Sequence, residues 1–377
     1  MKKLGFGTMR LPVFNPEDPK TIDYEQFEKM VDTYLAAGFT YFDTAYPYHQ
    51  EMSEGAVKRC LVDRYPRESF ILADKMPIIR VNDSSDYQKY FDEQLIRCGV
   101  TYFDYYLLHN MGIDRYVKTV KYGGFEFISD LKAKGLAKHI GFSFHDNAEV
   151  LDKILTEHPE FDFLQLQLNY LDWESEVVQS RACYEVACKH NKKVIVMEPV
   201  KGGVLANLQE DAKAVMDECT IAHGKNVDEV SAASYAIRFA ASLDNVMLVL
   251  SGMSNEAQLN DNLSYMNDFV PLTEAETSML HKCADIINGA TEVGCTSCKY
   301  CLEECPLSVN IPAYFGLLNL YKSLGKKTNM YYERASFGHA KASECIKCGK
   351  CERICPQHID IREKLVKFSE LYENTTT

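Results

Sequence analysis

The stretch Tyr24-Glu25-Gln26-Phe27-Glu28-Lys29-Met30-Val31, running on to Ala37 and Gly38 and followed by Tyr41-Phe42-Asp43-Thr44-Ala45, decides the fold. Phe27, Met30, Val31, Tyr34 and Leu35 recur at the spacing that places them on one face of a helix, and Gly38 ends it. The segment at 41–45 reads as a short, buried strand. A helix feeding such a strand is one unit of an α/β fold. Strands are predicted at 4–8, 41–45, 70–75, 105–109, 139–143, 163–168, 194–198 and 246–251, with further helical stretches at 53–65, 87–98, 116–134, 174–190 and 230–241. Eight alternations predict a (β/α)8 barrel. A doubly wound sheet is the alternative, but Gly5-Phe6-Gly7 after the first strand lacks the third glycine of a dinucleotide fingerprint.

A barrel places its chemistry at the C-terminal ends of its strands. That rule picks out Asp43, Lys75, His109 and Ser143, ionisable or polar groups that are costly in a core and natural at a mouth. Beyond Met266 the alternation stops. Pro271-Leu272-Thr273-Glu274 reads as a linker and helix cap, with a helix through Ile287. The expected division is a barrel over 1–285 and a second, mostly helical domain over 286–377.

The second domain carries one cysteine pattern twice. Cys295, Cys298, Cys301 and Cys305 precede Pro306; Cys345, Cys348, Cys351 and Cys355 precede Pro356. Each run reads C-x2-C-x2-C-x3-C-P, the ligand run of bacterial-type ferredoxins, in which the fourth cysteine binds the other [4Fe–4S] cluster. Structural zinc favours two separated C-x2-C pairs or admixed histidine, and neither run contains histidine. Disulfides need an oxidising compartment, and no export signal is visible. The expectation is two [4Fe–4S] clusters, one on Cys295, Cys298, Cys301 and Cys355, the other on Cys345, Cys348, Cys351 and Cys305. An apolar helix is expected between the runs, from Ile311 to Leu324.

With 377 residues and 46% hydrophobic content, the chain is long enough for both domains and able to bury a core. Its net charge of -13, from 41 Lys and Arg against 54 Asp and Glu, disfavours nucleic acid and anionic membrane as partners. No apolar run approaches a membrane span. Fourteen cysteines without an export signal predict a reducing, cytoplasmic location. Cys60, Cys98, Cys183, Cys188, Cys219 and Cys283 lack ligand spacing and read as small hydrophobes.

The segment Phe42-Asp43-Thr44-Ala45-Tyr46-Pro47-Tyr48 resembles the signature of the aldo/keto reductases. Ala73-Asp74-Lys75-Met76 and Tyr105-Tyr106-Leu107-Leu108-His109 fall where that family keeps its catalytic lysine and histidine. The likeness runs from Leu4 to about Tyr265, and the whole chain resembles the branch with a C-terminal pair of [4Fe–4S] clusters. The resemblance implies a catalytic tetrad of Asp43, Tyr48, Lys75 and His109 acting on a small carbonyl or alcohol. Tyr48 would give the proton in reduction and take it in oxidation. Lys75, held by Asp43, would lower the pKa of Tyr48, and His109 would orient the carbonyl oxygen. Tyr46, two residues away, competes with Tyr48 for the role.

The resemblance also implies a nicotinamide cofactor, NAD(H) or NADP(H). Ser143 and Gln165 match the residues that grip the nicotinamide amide, although Phe144 replaces the usual asparagine. Met197 stands where an aromatic residue commonly stacks. Gly202 and Gly203 would let backbone approach a pyrophosphate. Gln258 and Gly252 occupy places where basic residues often meet a 2′-phosphate, and Asn262 fits an adenine contact. NADH is therefore expected over NADPH, with Lys201 and Arg238 as the cations able to reverse that choice. Hydride moves two electrons and a cluster moves one, and no flavin motif is evident to convert between them. Three readings stand: a nicotinamide-dependent oxidoreductase whose clusters serve an external carrier such as ferredoxin, a ferredoxin- or flavin-driven reductase without nicotinamide, and a non-catalytic electron-transfer subunit.

Overall fold

The computed structural model describes residues 2–175, 178–324, 327 and 329–373. Eight parallel strands close into a barrel in sequence order: β1 Leu4–Gly7, β2 Tyr41–Asp43, β3 Ile71–Met76, β4 Phe103–Met111, β5 Ala137–Phe144, β6 Phe163–Gln167, β7 Lys193–Met197 and β8 Val246–Ser251. Alternate residues of each strand face opposite sides. Tyr41, Ala73, Leu107, Phe163, Ile195, Leu248 and Leu250 pack together inside the barrel. Phe42, Leu72, Leu108, Phe142, Leu164 and Val249 instead belong to the core shared with the surrounding helices. Two residues on from the inward set come Asp43, Lys75, His109, Gln165 and Met197. The same parity that buries the apolar plug therefore brings the polar Asp43, Lys75, His109 and Gln165, with Met197, together at its C-terminal rim.

The helix Tyr24–Ala36 is capped by Asp23, whose side chain accepts from the Gln26 amide, and buries Phe27, Met30, Val31 and Tyr34 as its periodicity requires. The helix expected over 116–134 is two helices, Ile113–Lys121 and Gly124–Ala133. Gly123 takes a left-handed conformation (φ +73°) between them, and a Cβ on Gly124 would overlap the Tyr87 ring. The stretch 53–65 begins as a helix, Ser53–Val57, and widens into a π turn at Lys58–Val62. The stretch 174–190 resolves as Ser180–Lys189, with 176 and 177 outside the described residues.

The helix Glu274–Ala290, opened by a Thr273–Glu276 capping box, packs Met279, Leu280, Cys283 and Ile287 against Tyr170, Tyr235 and Phe239 of the barrel. After it a second core forms. Ile311–Leu324 and Ile361–Tyr372 meet through Tyr314 and Phe368, stacked at 4.6 Å, and Val293, Phe315 and Tyr372 close it. Cys301 and Cys351 belong to this core. Among the described residues no helix is long and apolar enough to cross a membrane.

Candidate active site and cysteine cradles

Lys75 is fully buried at the end of β3. Its Nζ donates to Asp43 Oδ1 at 2.5 Å, to the Thr44 carbonyl at 2.8 Å and to the Tyr48 hydroxyl at 3.3 Å. Gln165 Nε2 donates to the other Asp43 oxygen at 3.0 Å, so both carboxylate oxygens are occupied. The His109 ring meets the Tyr48 ring edge-on, with centroids 6.0 Å apart. The four residues singled out by the sequence thus form one constellation. Tyr46 does not join it. Its hydroxyl bonds to Glu93 at 3.2 Å and accepts from Arg97 at 3.0 Å.

The electrostatics differ from expectation at Tyr48. Burial pushes its phenol well above the ordinary tyrosine value, and the carboxylates of Asp43, Asp74 and Glu198 add to the rise. The lowering anticipated from the Lys75 ammonium does not prevail, because desolvation of the phenolate outweighs it here. Burial lowers His109 well below the usual imidazole value, helped by the Lys75 charge, so the ring is neutral and carries one N–H donor at neutral pH. Behind Lys75, Asp74 and Glu54 share a buried site with Cys98, and burial raises both carboxyls.

Asp43, Tyr48 and His109 line a cavity of about 350 Å³ at the barrel mouth. The seven residues expected to contact a nicotinamide cofactor, Ser143, Gln165, Met197, Gly202, Gly203, Gln258 and Asn262, line the same cavity. Several are already engaged. Ser143 Oγ accepts from the Asn110 amide at 2.7 Å, and Gln258 Oε1 accepts from the Ser254 amide at 2.7 Å. Asn262 donates to Ser251 Oγ at 2.6 Å and accepts from the Tyr265 hydroxyl at 2.5 Å. Gly202 (φ +65°) places its backbone against the Thr296 carbonyl, where a Cβ would lie 2.5 Å away, while Gly203 is open. The two cations considered for a 2′-phosphate are spent elsewhere. Lys201 is buried against Asp172 Oδ1 at 2.5 Å, and Arg238 pairs with Glu276 at 3.5 Å and donates to the Val270 carbonyl at 3.0 Å.

The cysteine-rich domain covers this mouth. Gln167, at the end of β6, and Gln357, two residues after Cys355, exchange amide hydrogen bonds at 3.0 Å in both directions. Lys201 adds a bond to Gln357 Oε1 at 3.1 Å, and Asp172 gathers Gln167, Asn169 and Lys201. Tyr300, between Cys298 and Cys301, and Pro356, directly after Cys355, complete the lining of the cavity.

Two small hollows in this domain are lined by cysteines in crossed sets. Cys295, Cys298, Cys301 and Cys355 line the one nearer the barrel, with Thr296 and Gln357; Cys305, Cys345, Cys348 and Cys351 line the other. The two loops repeat each other's backbone. Ser297 and Lys347 take left-handed conformations, as do Lys299 and Gly349, and Ser308 and His358. The Ser297 and Lys347 amides donate to the Cys295 and Cys345 sulfurs at 3.4 Å. Burial pushes the Cys298 thiol up to about 12 and raises Cys295 and Cys355, so thiolates in the nearer hollow call for a positively charged partner. The donor set, its crossing and the N–H···S bonds fit iron–sulfur cubes.

Sequence reasoning missed Arg10, Glu198 and Tyr300 among the cavity residues. Arg10 is the one Lys or Arg among the described lining residues and runs beside Gly252 and Gly202. Glu198, one residue beyond β7, keeps an unusual positive φ (+55°); its Oε2 is buried without a hydrogen-bond partner among the described residues, and burial raises its carboxyl to about 7. Its place at a strand end was readable by the barrel rule. Tyr300 came with the cysteine run, but only tertiary packing brings it to the mouth.

The model of the aldo/keto reductase family matches residues 3–285, and that of a 4Fe-4S dicluster domain matches residues 294–359. Among solved structures, aldo-keto reductase AKR11C1 from Bacillus halodurans, holo form, superposes with a TM-score of 0.59 at 23% identity, covering 74% of this chain and 91% of that one. An aldo-keto reductase from Klebsiella pneumoniae in complex with NADPH gives 0.58 at 17% identity, covering 74% and 90%. At these identities the likeness establishes the shared fold.

Proposed function

This chain belongs to the aldo/keto reductase family and carries a 4Fe-4S dicluster domain, and we propose on that premise that it interconverts a small carbonyl compound and its alcohol beneath the cluster domain. Residues 1–285 carry the carbonyl chemistry and 286–377 the clusters. The observation that carries the reading is the contact chain Asp43–Lys75–Tyr48, with His109 against the Tyr48 ring, opening on one cavity.

A nicotinamide, when bound, supplies or accepts the hydride. Ser143 and Gln165 would hold its amide, Met197 its ring, and Gly202, Gly203, Gln258 and Asn262 the remainder. The chain's own residues handle the proton. Tyr48 donates from its hydroxyl to the carbonyl oxygen in reduction and receives that proton back in oxidation. Burial keeps the phenol protonated at rest and makes it a weaker acid, so proton transfer leans on the Lys75 charge. The Lys75 ammonium, 3.3 Å from the hydroxyl, stabilises the phenolate as it develops, and Asp43 fixes the ammonium. Neutral His109 offers an N–H to the same carbonyl oxygen and orients it. NADH is the proposed dinucleotide, because Lys201 and Arg238 are committed to buried ion pairs; Arg10, beside Gly252, is the cation of the lining that would reverse the choice. Eight cysteine ligands and six further thiols suit a reducing cytoplasm.

A second reading is favoured by Glu198 and Tyr300. An unpartnered carboxylate is a poor lining for a pyrophosphate, and the loop of the nearer cysteine set forms part of the cavity wall. On that reading the cavity takes a flavin or a substrate reduced through the clusters, without nicotinamide. Anaerobic assays with NADH, NADPH and a panel of aldehydes and ketones separate the two. Turnover with NADH that Tyr48→Phe lowers about a hundredfold or more supports the first. No turnover and no binding of either dinucleotide removes it.

A further inference from the structure

The two cysteine hollows are not equivalent in exposure. The nearer one shares Thr296 and Gln357 with the barrel contact and has the active-site cavity beside it. The farther one is covered by Leu307 and Ile346, the latter 62% exposed, and Cys348 is itself exposed. A one-electron carrier must approach through the farther side, because the nearer side is occupied by the barrel.

The surface around the farther hollow carries charge opposite to the rest of the molecule. Lys347 and Lys350 stand between its cysteines and Arg353 follows them, all exposed. Beside it an open groove of about 220 Å³ runs between the two domains, where Lys350 and Arg353 face Arg115 and Lys118 of the helix Ile113–Lys121. The carboxylates nearby are largely engaged. Glu352 pairs with Arg362 at 2.7 Å, Asp114 with Arg115 at 3.5 Å, and Glu344 accepts from the Lys341 amide at 2.6 Å; Glu304 remains in the groove lining. The same helix exposes Ile113, Val117 and Val120. A cationic rim with scattered apolar contacts, on a chain whose net charge is -13, is a local reversal that steers an anionic partner to one place.

We propose that the face formed by Ile346, Lys347, Lys350, Arg353 and Lys118 docks a small acidic protein that carries one electron at a time, and that electrons enter through the cluster held by Cys305, Cys345, Cys348 and Cys351. The inference rests on the cluster assignment above. Each transfer oxidises the carrier by one electron and reduces that cluster by one, with no bond made and no proton moved. The interface belongs to the small, transient class of redox encounters, weak and dependent on ionic strength.

The test uses the full chain purified anaerobically and an acidic plant-type [2Fe–2S] ferredoxin as probe. Iron and sulfide are measured first; their absence would overturn the cluster assignment itself. With clusters present, calorimetric titration measures binding at low and high salt. Stopped-flow mixing with the reduced probe measures electron entry. Saturable binding is expected, weakened at least tenfold by high salt. The charge reversal Lys347→Glu/Lys350→Glu/Arg353→Glu should weaken it at least tenfold again, with the dithionite-reduced spectrum unchanged. Lys118→Glu, on the barrel side and outside both cysteine runs, should reduce binding severalfold, so the proposal stays testable if the triple variant fails to assemble its clusters. Absent or salt-independent binding, equal affinity of wild type and Lys118→Glu, or tighter binding of a basic carrier such as cytochrome c would overturn the docking proposal while leaving the clusters intact.

Discussion

Tyr46 and Tyr48 lie two residues apart, and their hydroxyls meet opposite surroundings. Tyr46 bonds to Glu93 and Arg97, while Tyr48 lies 3.3 Å from the Lys75 ammonium. Periodicity alone left both open and the family spacing chose Tyr48; the packing of Tyr46 against Tyr90 and Arg97 sets it apart. Tyr48→Phe is therefore expected to cut carbonyl turnover by about a hundredfold to ten-thousandfold, and Tyr46→Phe to leave it within a few-fold, in parallel steady-state assays. Lys75→Met should follow Tyr48→Phe in activity, and it leaves the Asp43 carboxyl buried without its charged partner. The Asp74–Glu54 pair makes a separate prediction about pH. Burial raises both folded pKa values above their unfolded ones. As pH climbs past the ordinary carboxyl range, the unfolded chain releases protons that the folded chain retains, so stability falls with rising pH. Asp74→Asn, which imitates the protonated acid, should flatten that fall in urea unfolding measured from pH 5 to pH 9. An unchanged slope would remove the pair from the account. Neither this pair nor the raised phenol of Tyr48 was legible in the sequence, because desolvation depends on what other segments cover.

Strand positions were legible because a buried parallel strand needs a short apolar run wherever it occurs, and 246–251 is met at both ends by Val246–Ser251. Helix continuity was less so. The apolar periodicity of 116–134 continues through Gly123 and Gly124, and only the left-handed Gly123 and the Tyr87 ring against Gly124 show why the chain turns there. The loop after β7 touches the cluster domain beside the Gln167–Gln357 pair, with Lys201, Gly202 and Gly203 all at positive φ. Gly202→Ala adds a Cβ 2.5 Å from the Thr296 carbonyl at φ +65°, whereas Gly224→Ala, at φ +68°, meets open space. Both pay left-handed strain of about 1 kcal/mol. Gly202→Ala should cost more and should speed proteolysis between barrel and cluster domain. Equal loss of denaturation midpoint in the two variants would mean that the Thr296 contact contributes nothing.

At the scale of the molecule, two domains that each read clearly in sequence meet in a way the sequence did not announce. The cysteine spacing carried the cluster domain; the strand ends picked out Asp43, Lys75 and His109, and Tyr48 came from the family resemblance. The reciprocal Gln167–Gln357 bonds, the Lys201–Asp172 pair and the place of Tyr300 in the cavity wall depend on contacts between residues far apart in the chain. That junction sets the barrel-mouth cavity beside one cysteine cradle and turns the other toward solvent. The account depends first on those cradles holding iron. Iron and acid-labile sulfide, counted per chain in protein purified without oxygen, test it most directly. The account predicts about eight of each, from two cubanes; zinc in stoichiometric amount with negligible sulfide would contradict it.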